Sequence, residues 1–160
     1  MISDPGKPMG MRGERTLKGE LVMDAAALHR FLDTEFPQIE GLALRIEDLA
    51  PGHLRLRLPF ADQHLRPGGT ISGPTMMTMA DAGLYILILA HIGPVALAVT
   101  TNLNINFLRK PDPVDLVADF KLLKLGKRLA VGEATIFSDG VEDPVAHATL
   151  TYSIPPRGEN

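Results

Sequence analysis

The chain has 160 residues, a formal net charge of −3, no cysteine, 45% hydrophobic residues and 22% charged residues. This length and balance are typical of one soluble domain that buries most of its apolar surface on folding. The lack of cysteine excludes disulfides, thiolate catalysis and cysteine-ligated zinc, and the scattered basic residues give no indication of nucleic acid as a partner.

The first 20 residues are polar and rich in glycine, proline and basic side chains. They contain no apolar core of a secretory signal, so we expect residues 1–20 to form a flexible tail before a single domain over residues 21–156. The most apolar stretch, Leu84 to Val99, is interrupted by His91 and Gly93-Pro94 and is too short to span a membrane. We therefore expect a cytoplasmic protein with no membrane partner.

The first predicted elements are one helix and two strands. Apolar residues at every third or fourth position predict an amphipathic helix from about Val22 to Glu35, which Pro37 ends. Two extended segments follow, Leu42 to Leu49 and His53 to Phe60. In the second of these, leucine and arginine alternate with the period of a half-buried strand.

A second helix is predicted from Pro74 to Ile92, after a glycine-rich turn. It is apolar nearly all round, so other structure must enclose it. Its polar residues Thr78, Asp81 and Tyr85 have the spacing of one stripe along the helix.

Asp81 is the one formally charged residue between Arg66 and Arg109. A carboxylate among apolar neighbours must be paired, neutralised or used, because burying an isolated charge is costly. Asp81 is therefore the first candidate for chemistry. The alternative is a structural acid satisfied by backbone donors or by a partner chain.

After the second helix the pattern changes to period two and predicts four more strands. These strands are Leu97 to Leu108, Val114 to Leu125, Arg128 to Ser138, and Pro144 to Ile154. In the first of them an alternating row of asparagines is expected to face solvent or a partner strand. The order of elements predicts an α+β fold in which an antiparallel sheet wraps a central helix.

Three segments carry a family resemblance: Pro67 to Asp81, Val99 to Arg109, and Gly126 to Glu133. They resemble the hotdog-fold acyl-CoA thioesterases, and are most similar to the phenylacetate-pathway (PaaI-like) branch, with the likeness running from about Leu21 to Ile154. The resemblance implies a long helix rolled in an antiparallel sheet. It also implies an acyl-CoA substrate, in which coenzyme A belongs to the substrate, so that no separate cofactor is expected. It also implies a homodimer, or two dimers paired into a tetramer.

The family motif is matched in part. Members typically carry His-Gly-Gly at the start of the central helix, an acid further along it, and often an asparagine shortly before it. Here Ser72-Gly73-Pro74 stands in the His-Gly-Gly place, Asp81 in the acid place and Arg66 in the asparagine place. The acid and the first glycine match, whereas the histidine and the asparagine do not.

Thioester hydrolysis needs a nucleophile or general base, and donors for the oxyanion that develops on the carbonyl. Asp81 is the candidate for the first role, and the sequence leaves nucleophile and general base open. The Gly73 N–H is the candidate oxyanion donor, because unpaired donors and the helix dipole meet at a helix N-terminus. The two residues are eight positions apart, roughly 12 Å along a helix, so one site needs them from two protomers of a two-fold dimer.

Several further residues are candidates for substrate binding. Ser72 also has the character of a helix N-cap, and Thr78 and Tyr85 could orient the carboxylate or contact the acyl group. The candidate substrate-binding residues, with basic ones for the phosphates of coenzyme A, are Ser72, Thr78, Tyr85, Arg66, Arg109, Lys110, Lys127 and Arg128. His64 lies near the turn and could replace the missing motif histidine, but we expect it on the surface. The other four histidines are scattered and form no metal constellation.

Two other functions stay open at this point. A non-catalytic hotdog protein that binds acyl-CoA as a sensor or carrier is favoured by the missing motif histidine and asparagine, whereas the retained Asp81 and Gly73 argue against it. A hydratase or dehydratase ranks third, since those hotdog enzymes generally pair the acid with a histidine. The sequence also leaves open the acyl group, dimer or tetramer, and coenzyme A or acyl carrier protein as the thiol.

Overall fold

The structure is a computed structural model that describes residues 19–156, so most of the predicted tail over residues 1–20 lies outside the described residues. Within these residues, three α-helices and eight strands follow one another in the order α1, α2, β1 to β4, α3 and β5 to β8. The helices are α1 (Ala25–Glu35), α2 (Pro37–Glu40) and α3 (Gly73–Ile92), and the strands are β1 (Arg45–Ala50), β2 (His53–Leu58), β3 (Leu65–Arg66), β4 (Thr70–Ile71), β5 (Val99–Phe107), β6 (Leu116–Leu125), β7 (Leu129–Ser138) and β8 (Ala146–Ser153).

Six strands form one antiparallel sheet in the order β1-β2-β6-β7-β8-β5, so β1 and β5 are its edges. The short strands β3 and β4 pair separately. Along β7 the side chains alternate between buried and half-exposed, as expected when one face of a sheet is covered. The covering element is α3, which contacts β2, β5, β6, β7 and β8. The predicted α+β hotdog layout, with a sheet wrapped around one central helix, is confirmed.

The helix and the sheet approach most closely at two glycines. A Cβ atom on Gly83 would lie 2.0 Å from Cζ of Phe120, and one on Gly132 would lie 2.4 Å from Cδ1 of Leu84. No side chain fits at either position without displacing packed core atoms. The two glycines therefore set how closely α3 can lie against β6 and β7.

By length and composition α3 could cross a membrane, but 67% of its most apolar 18-residue window is buried inside the domain. It serves instead as the core helix. Its exposed residues, Pro74, Met77 and Thr78, lie near its N-terminal end.

The structure differs from the sequence-based predictions in the short elements. Pro37 ends α1 as expected but also begins α2, since proline is tolerated in the first turn of a helix. The glycine-rich turn forms the β3–β4 hairpin, in which Gly68 and Gly69 have φ of +100° and +77°, values that favour glycine.

The prediction of a surface position for His64 is wrong. A 3₁₀ turn at Asp62–His64 directs this residue inward, and it is 6% exposed. Its carbonyl oxygen accepts a hydrogen bond of 2.8 Å from the Ser72 N–H. His64 therefore belongs to the packing that holds the entry of α3.

A histidine also fixes the other end of α3. Nε2 of His91 accepts a hydrogen bond of 2.9 Å from the N–H of Gly52, in the turn between β1 and β2. Burial lowers the pKa of His91 below its usual value. The ring is therefore neutral at pH 7 and acts as an acceptor that joins α3 to the sheet.

Candidate active site

The Asp81 carboxylate is held by two hydroxyl groups. Its Oδ1 accepts hydrogen bonds of 2.5 Å from Oγ1 of Thr100 and 2.5 Å from the hydroxyl of Tyr152. The Tyr152 hydroxyl also lies 2.8 Å from the main-chain oxygen of Asp81. The acid is therefore paired, with both donors supplied by neighbouring strands.

Strand register explains why these two donors meet. Thr100 on β5 lies directly opposite Tyr152 on β8, and a register shift follows between Thr100 and Asn102. Paired residues of an antiparallel ladder point to the same face, which here is the face covered by α3. The Asp81 side chain reaches the pair from the middle of α3.

Tyr152 is a permanent donor in this arrangement. Only 2% of the residue is exposed, and its ring stacks on that of Tyr85 at 6.3 Å between centroids. Burial, and then the charge of Asp81, raise the pKa of Tyr152 far above its usual value. Its hydroxyl therefore keeps its proton throughout the physiological range.

A cavity of about 300 Å³ lies beside Asp81, and we call it the Asp81 cavity. Its lining includes the rings of Phe36, Tyr85 and Tyr152, and the side chain of Glu35. Phe36 meets Tyr85 edge-on at 6.0 Å, and the Tyr85 hydroxyl donates to the carbonyl oxygen of Ala96 at 3.2 Å. Burial, and secondarily the charge of Glu35, raise the pKa of Tyr85. The cavity thus offers an aromatic wall with a carboxylate at one side.

The start of α3 has the properties of an anion site. Ser72 is its N-cap, as its sequence position predicts, with Oγ accepting from the N–H of Thr75 at 3.3 Å. Pro74 has no N–H, and the Gly73 N–H has no acceptor among the described residues. That donor is therefore available to an incoming oxygen.

A second cavity of about 560 Å³ surrounds this helix start, and we call it the Gly73 cavity. Gly73 and Phe107 lie in its wall together with Arg66, Arg109 and Lys110. One of these cations has a weak partner, since Nη2 of Arg109 lies 3.8 Å from the carboxylate of Asp143. The cavity thus combines a free amide donor with three positive charges.

The structure divides the predicted site residues between separate places in one chain. Asp81 and Tyr85 line the Asp81 cavity, whereas Gly73, Arg66 and Arg109 line the Gly73 cavity. One chain alone therefore does not bring Asp81 and Gly73 together.

The remaining candidates lie outside both cavities. Thr78 is exposed between them, and its hydroxyl donates to the carbonyl of Pro74 at 2.9 Å instead of to Asp81. Lys127 and Arg128 are exposed before β7, at the end of the sheet where β5 begins. The carbonyl oxygen of Arg128 accepts from the N–H of Ile154 at 2.9 Å.

Sequence reasoning missed Thr100, Tyr152 and Phe36. The alternation of β5 and β8 predicts which of their residues face the helix, but not which of them face Asp81. Phe36 lies just beyond the predicted end of the first helix at Glu35, and it lines the Asp81 cavity from the junction of α1 and α2.

Comparisons with known proteins agree with this architecture. Residues 68–145 match the family described as the thioesterase superfamily. A "putative thioesterase" from Silicibacter sp. TM1040 has a solved structure that is 52% identical, with a TM-score of 0.79 over 86% of this chain and 95% of that one.

Two further relatives are more distant. A "putative esterase" from Halobacterium salinarum is 32% identical over 118 residues, or 71% of this chain and 78% of the relative. A solved structure from Ralstonia eutropha JMP134, described as a "putative thioesterase, phenylacetic acid degradation-related protein", is 26% identical, with a TM-score of 0.70 over 79% of this chain and 98% of that one. Together with the fold, these matches establish that the chain belongs to the thioesterase superfamily, a group of thioester hydrolases, within its PaaI-like hotdog branch.

Proposed function

We propose that this protein hydrolyses acyl-CoA thioesters in sites shared between two protomers. The observation that carries the proposal is the Asp81 carboxylate, held by two hydroxyl groups in the wall of an aromatic cavity. A cavity of about 300 Å³ has the volume of a small ligand pocket and so suits an acyl group. Asp81 supplies the reactive carboxylate, and the Gly73 N–H of the partner protomer binds the oxyanion.

Two chemical routes use the same residues. As a general base, Asp81 takes a proton from a water molecule, whose oxygen attacks the thioester carbon. As a nucleophile, Asp81 attacks that carbon itself, and water then hydrolyses the resulting anhydride. In both routes the carbonyl oxygen becomes negative, the C–S bond breaks, and the coenzyme A thiolate is protonated to the free thiol.

The shared site follows from the position of β5. Asp81 accepts a hydrogen bond from Thr100, near the start of this strand. Gly73 lies against the ring of Phe107, at the end of the strand, where a Cβ added to the glycine would be 3.2 Å from Cζ of the ring. β5 is an edge strand. If it pairs antiparallel with a second copy of itself, the start of one strand meets the end of the other. Asp81 of one protomer then lies near Gly73 of its partner.

The surface at this edge supports a partner copy. Val99 and Phe107 at the two ends of β5 are 51% and 49% exposed, and Met77 on the nearby end of α3 is 41% exposed. Large exposed apolar side chains beside an unpaired strand edge are typical of an interface. Pairing of β5 would cover the strand edge together with these side chains.

The same pairing gathers the candidate phosphate-binding cations. Arg66, Arg109 and Lys110 surround the Gly73 cavity near the end of β5. Lys127 and Arg128 lie near the start of β5, and hence near the partner's Gly73 cavity. Coenzyme A would then meet basic residues of both protomers, and its thioester would reach between Gly73 and Asp81.

The first test is free-thiol release from a panel of acyl-CoA and aryl-CoA substrates, with the wild-type protein beside Asp81→Asn. We expect wild-type turnover, and a fall in kcat of roughly 10²- to 10⁴-fold in the variant, with acyl-CoA affinity retained. Unchanged turnover in Asp81→Asn would remove Asp81 from the mechanism.

A non-catalytic acyl-CoA-binding protein is the second candidate, because Ser72 stands where the family motif has histidine. In that case the wild-type protein binds acyl-CoA tightly but releases no thiol from any substrate in the panel. Hydration of crotonyl-CoA by the wild-type protein would instead indicate a hydratase.

A further inference from the structure

We infer that Tyr152 is a positioning residue for hydrolysis, which holds Oδ1 of Asp81 so that Oδ2 is the oxygen that acts on water or on the thioester. This inference rests on the proposed function and extends it to a residue of β8. Within residues 19–156, Oδ2 accepts no hydrogen bond, whereas Oδ1 accepts two. The two oxygens of the carboxylate are thus already different before substrate arrives.

Tyr152 restrains Asp81 at two points with one group. Its hydroxyl lies 2.5 Å from Oδ1 and 2.8 Å from the main-chain oxygen of the same residue. The ring itself is fixed by burial, by stacking on Tyr85, and by its place in the β8 ladder. Rotation of the carboxylate would therefore break a hydrogen bond to a group that does not follow it.

The two acceptors also allow the hydroxyl to follow the reaction. When Asp81 takes up a proton on Oδ2, or forms a bond through it, Oδ1 loses its negative charge and becomes a weaker acceptor. The single proton of Tyr152 can then turn to the main-chain oxygen without leaving the buried hydroxyl unsatisfied. Thr100 continues to donate to Oδ1. The carboxylate can change its charge with no movement of the tyrosine ring.

Other titratable groups near Asp81 are few. Tyr85 on α3 and Glu35 at the end of α1 line the same cavity as Asp81 and Tyr152. Glu35 is the other carboxylate in this lining, as far as the described residues go. An effect of pH on catalysis that comes from Asp81 must therefore be distinguished from one that comes from Glu35, which requires a variant at Glu35.

The experiment compares Tyr152→Phe with the wild-type protein across pH, using the best substrate of the acyl-CoA panel. We expect kcat to fall roughly 10- to 100-fold while KM changes by less than about threefold, because alignment is lost and the cavity is kept. The acid limb of the kcat/KM profile should move to higher pH, because the carboxylate loses a hydrogen bond that favours its charged form. A purely structural role of the tyrosine would not shift that limb.

Two variants serve as matched controls for the pH readout. Tyr85→Phe removes a hydroxyl from the same cavity that binds Ala96 instead of Asp81, and Glu35→Gln removes the second carboxylate. Tyr85→Phe should not move the acid limb, and in a Glu35→Gln background Tyr152→Phe should still move it to higher pH. Should Tyr152→Phe fold poorly, 3-fluorotyrosine at position 152 keeps the hydroxyl and makes it a stronger donor, and the acid limb should then move to lower pH.

An unmoved acid limb in Tyr152→Phe, whatever its kcat, or an unmoved limb with 3-fluorotyrosine, would overturn the inference. The proposed function fails separately, through full activity of Asp81→Asn. An inactive Asp81→Asn beside a Tyr152→Phe that behaves like the wild type would leave the function standing and remove the role of Tyr152.

Discussion

Single residues in this chain differ in how far the sequence reveals them. Asp81 could be identified from composition, because it is one acid in a long uncharged stretch. Its partners Thr100 and Tyr152 could not, because their meeting depends on the register between β5 and β8 and on the shift that follows Thr100. A shift of one residue would turn either hydroxyl to the other face of the sheet.

Gly73 offers a direct test at this scale, since one substitution can remove its N–H and another can keep it. Gly73→Pro lacks the donor, and it is compatible with Ser72, whose φ of −71° and ψ of 151° are extended as a following proline requires. Gly73→Ala keeps the donor. Both add a Cβ against Phe107 and before Pro74. We expect kcat to be about 10²-fold lower in Gly73→Pro than in Gly73→Ala in the thiol-release assay.

Equal kcat values in these two variants would show that the Gly73 N–H does not bind the oxyanion. Circular dichroism and thermal unfolding of both variants check that the helix start is retained.

At the level of elements, the long ones were predictable and the short ones were not. α3 and the six strands of the main sheet carry enough residues for their period to be clear, and the structure has them within a few residues of the predicted bounds. α2 has four residues, and β3 and β4 have two residues each. These segments are too short to show a helical or strand period in the sequence. The 3₁₀ turn that directs His64 inward has only three residues, so the wrong prediction of a surface position for His64 has the same cause.

The link between α3 and the β1–β2 turn predicts a pH dependence of stability. The folded pKa of His91 lies below the unfolded value of about 6.5, so its contribution is complete above that pH and is lost as pH falls below it. Protonation of Nε2 also abolishes the acceptor for the Gly52 N–H, a bond worth about 1 kcal/mol. Free energies of unfolding from denaturant titrations between about pH 8 and pH 5 measure this loss.

The matched variant is His91→Gln, whose amide oxygen can accept the same bond but does not titrate. It should lose less stability than the wild type over that pH range. As a second control, His147→Gln changes a half-exposed histidine that pairs with Glu133. This variant still contains His91, so the loss of stability that comes from His91 between about pH 8 and pH 5 should remain. Identical pH dependence in the wild type and His91→Gln would contradict the prediction.

At the level of the whole molecule, the proposed active site would join residues that lie at the two distant ends of β5. If Gly73 and Asp81 act on one carbonyl, their eight-residue separation requires two protomers, and the structure adds the strand edge that could join them. What the sequence could not provide is the contact of each residue with β5, since Thr100 and Phe107 become its neighbours only through folding.

Subunit mixing tests this arrangement. Asp81→Asn and Gly73→Pro should each be nearly inactive as pure proteins. After random exchange, half of the dimers are mixed, and each mixed dimer has one site with an intact Asp81 and an intact partner Gly73. We expect about a quarter of wild-type thiol release from the mixture. Activity no higher than the mean of the two pure variants would place both residues in one chain or remove one of them from the site.

The two tight glycine contacts between α3 and the sheet bear on how the Asp81 cavity could change in relatives. Gly83 against Phe120 and Gly132 against Leu84 leave no room for a side chain at these two contacts between the helix and the sheet. Adaptation to a larger or smaller acyl group is therefore expected at lining residues away from these two contacts, such as Phe36 at the α1–α2 junction. Divergence in substrate preference should concentrate in that junction, while the helix–sheet contact stays invariant.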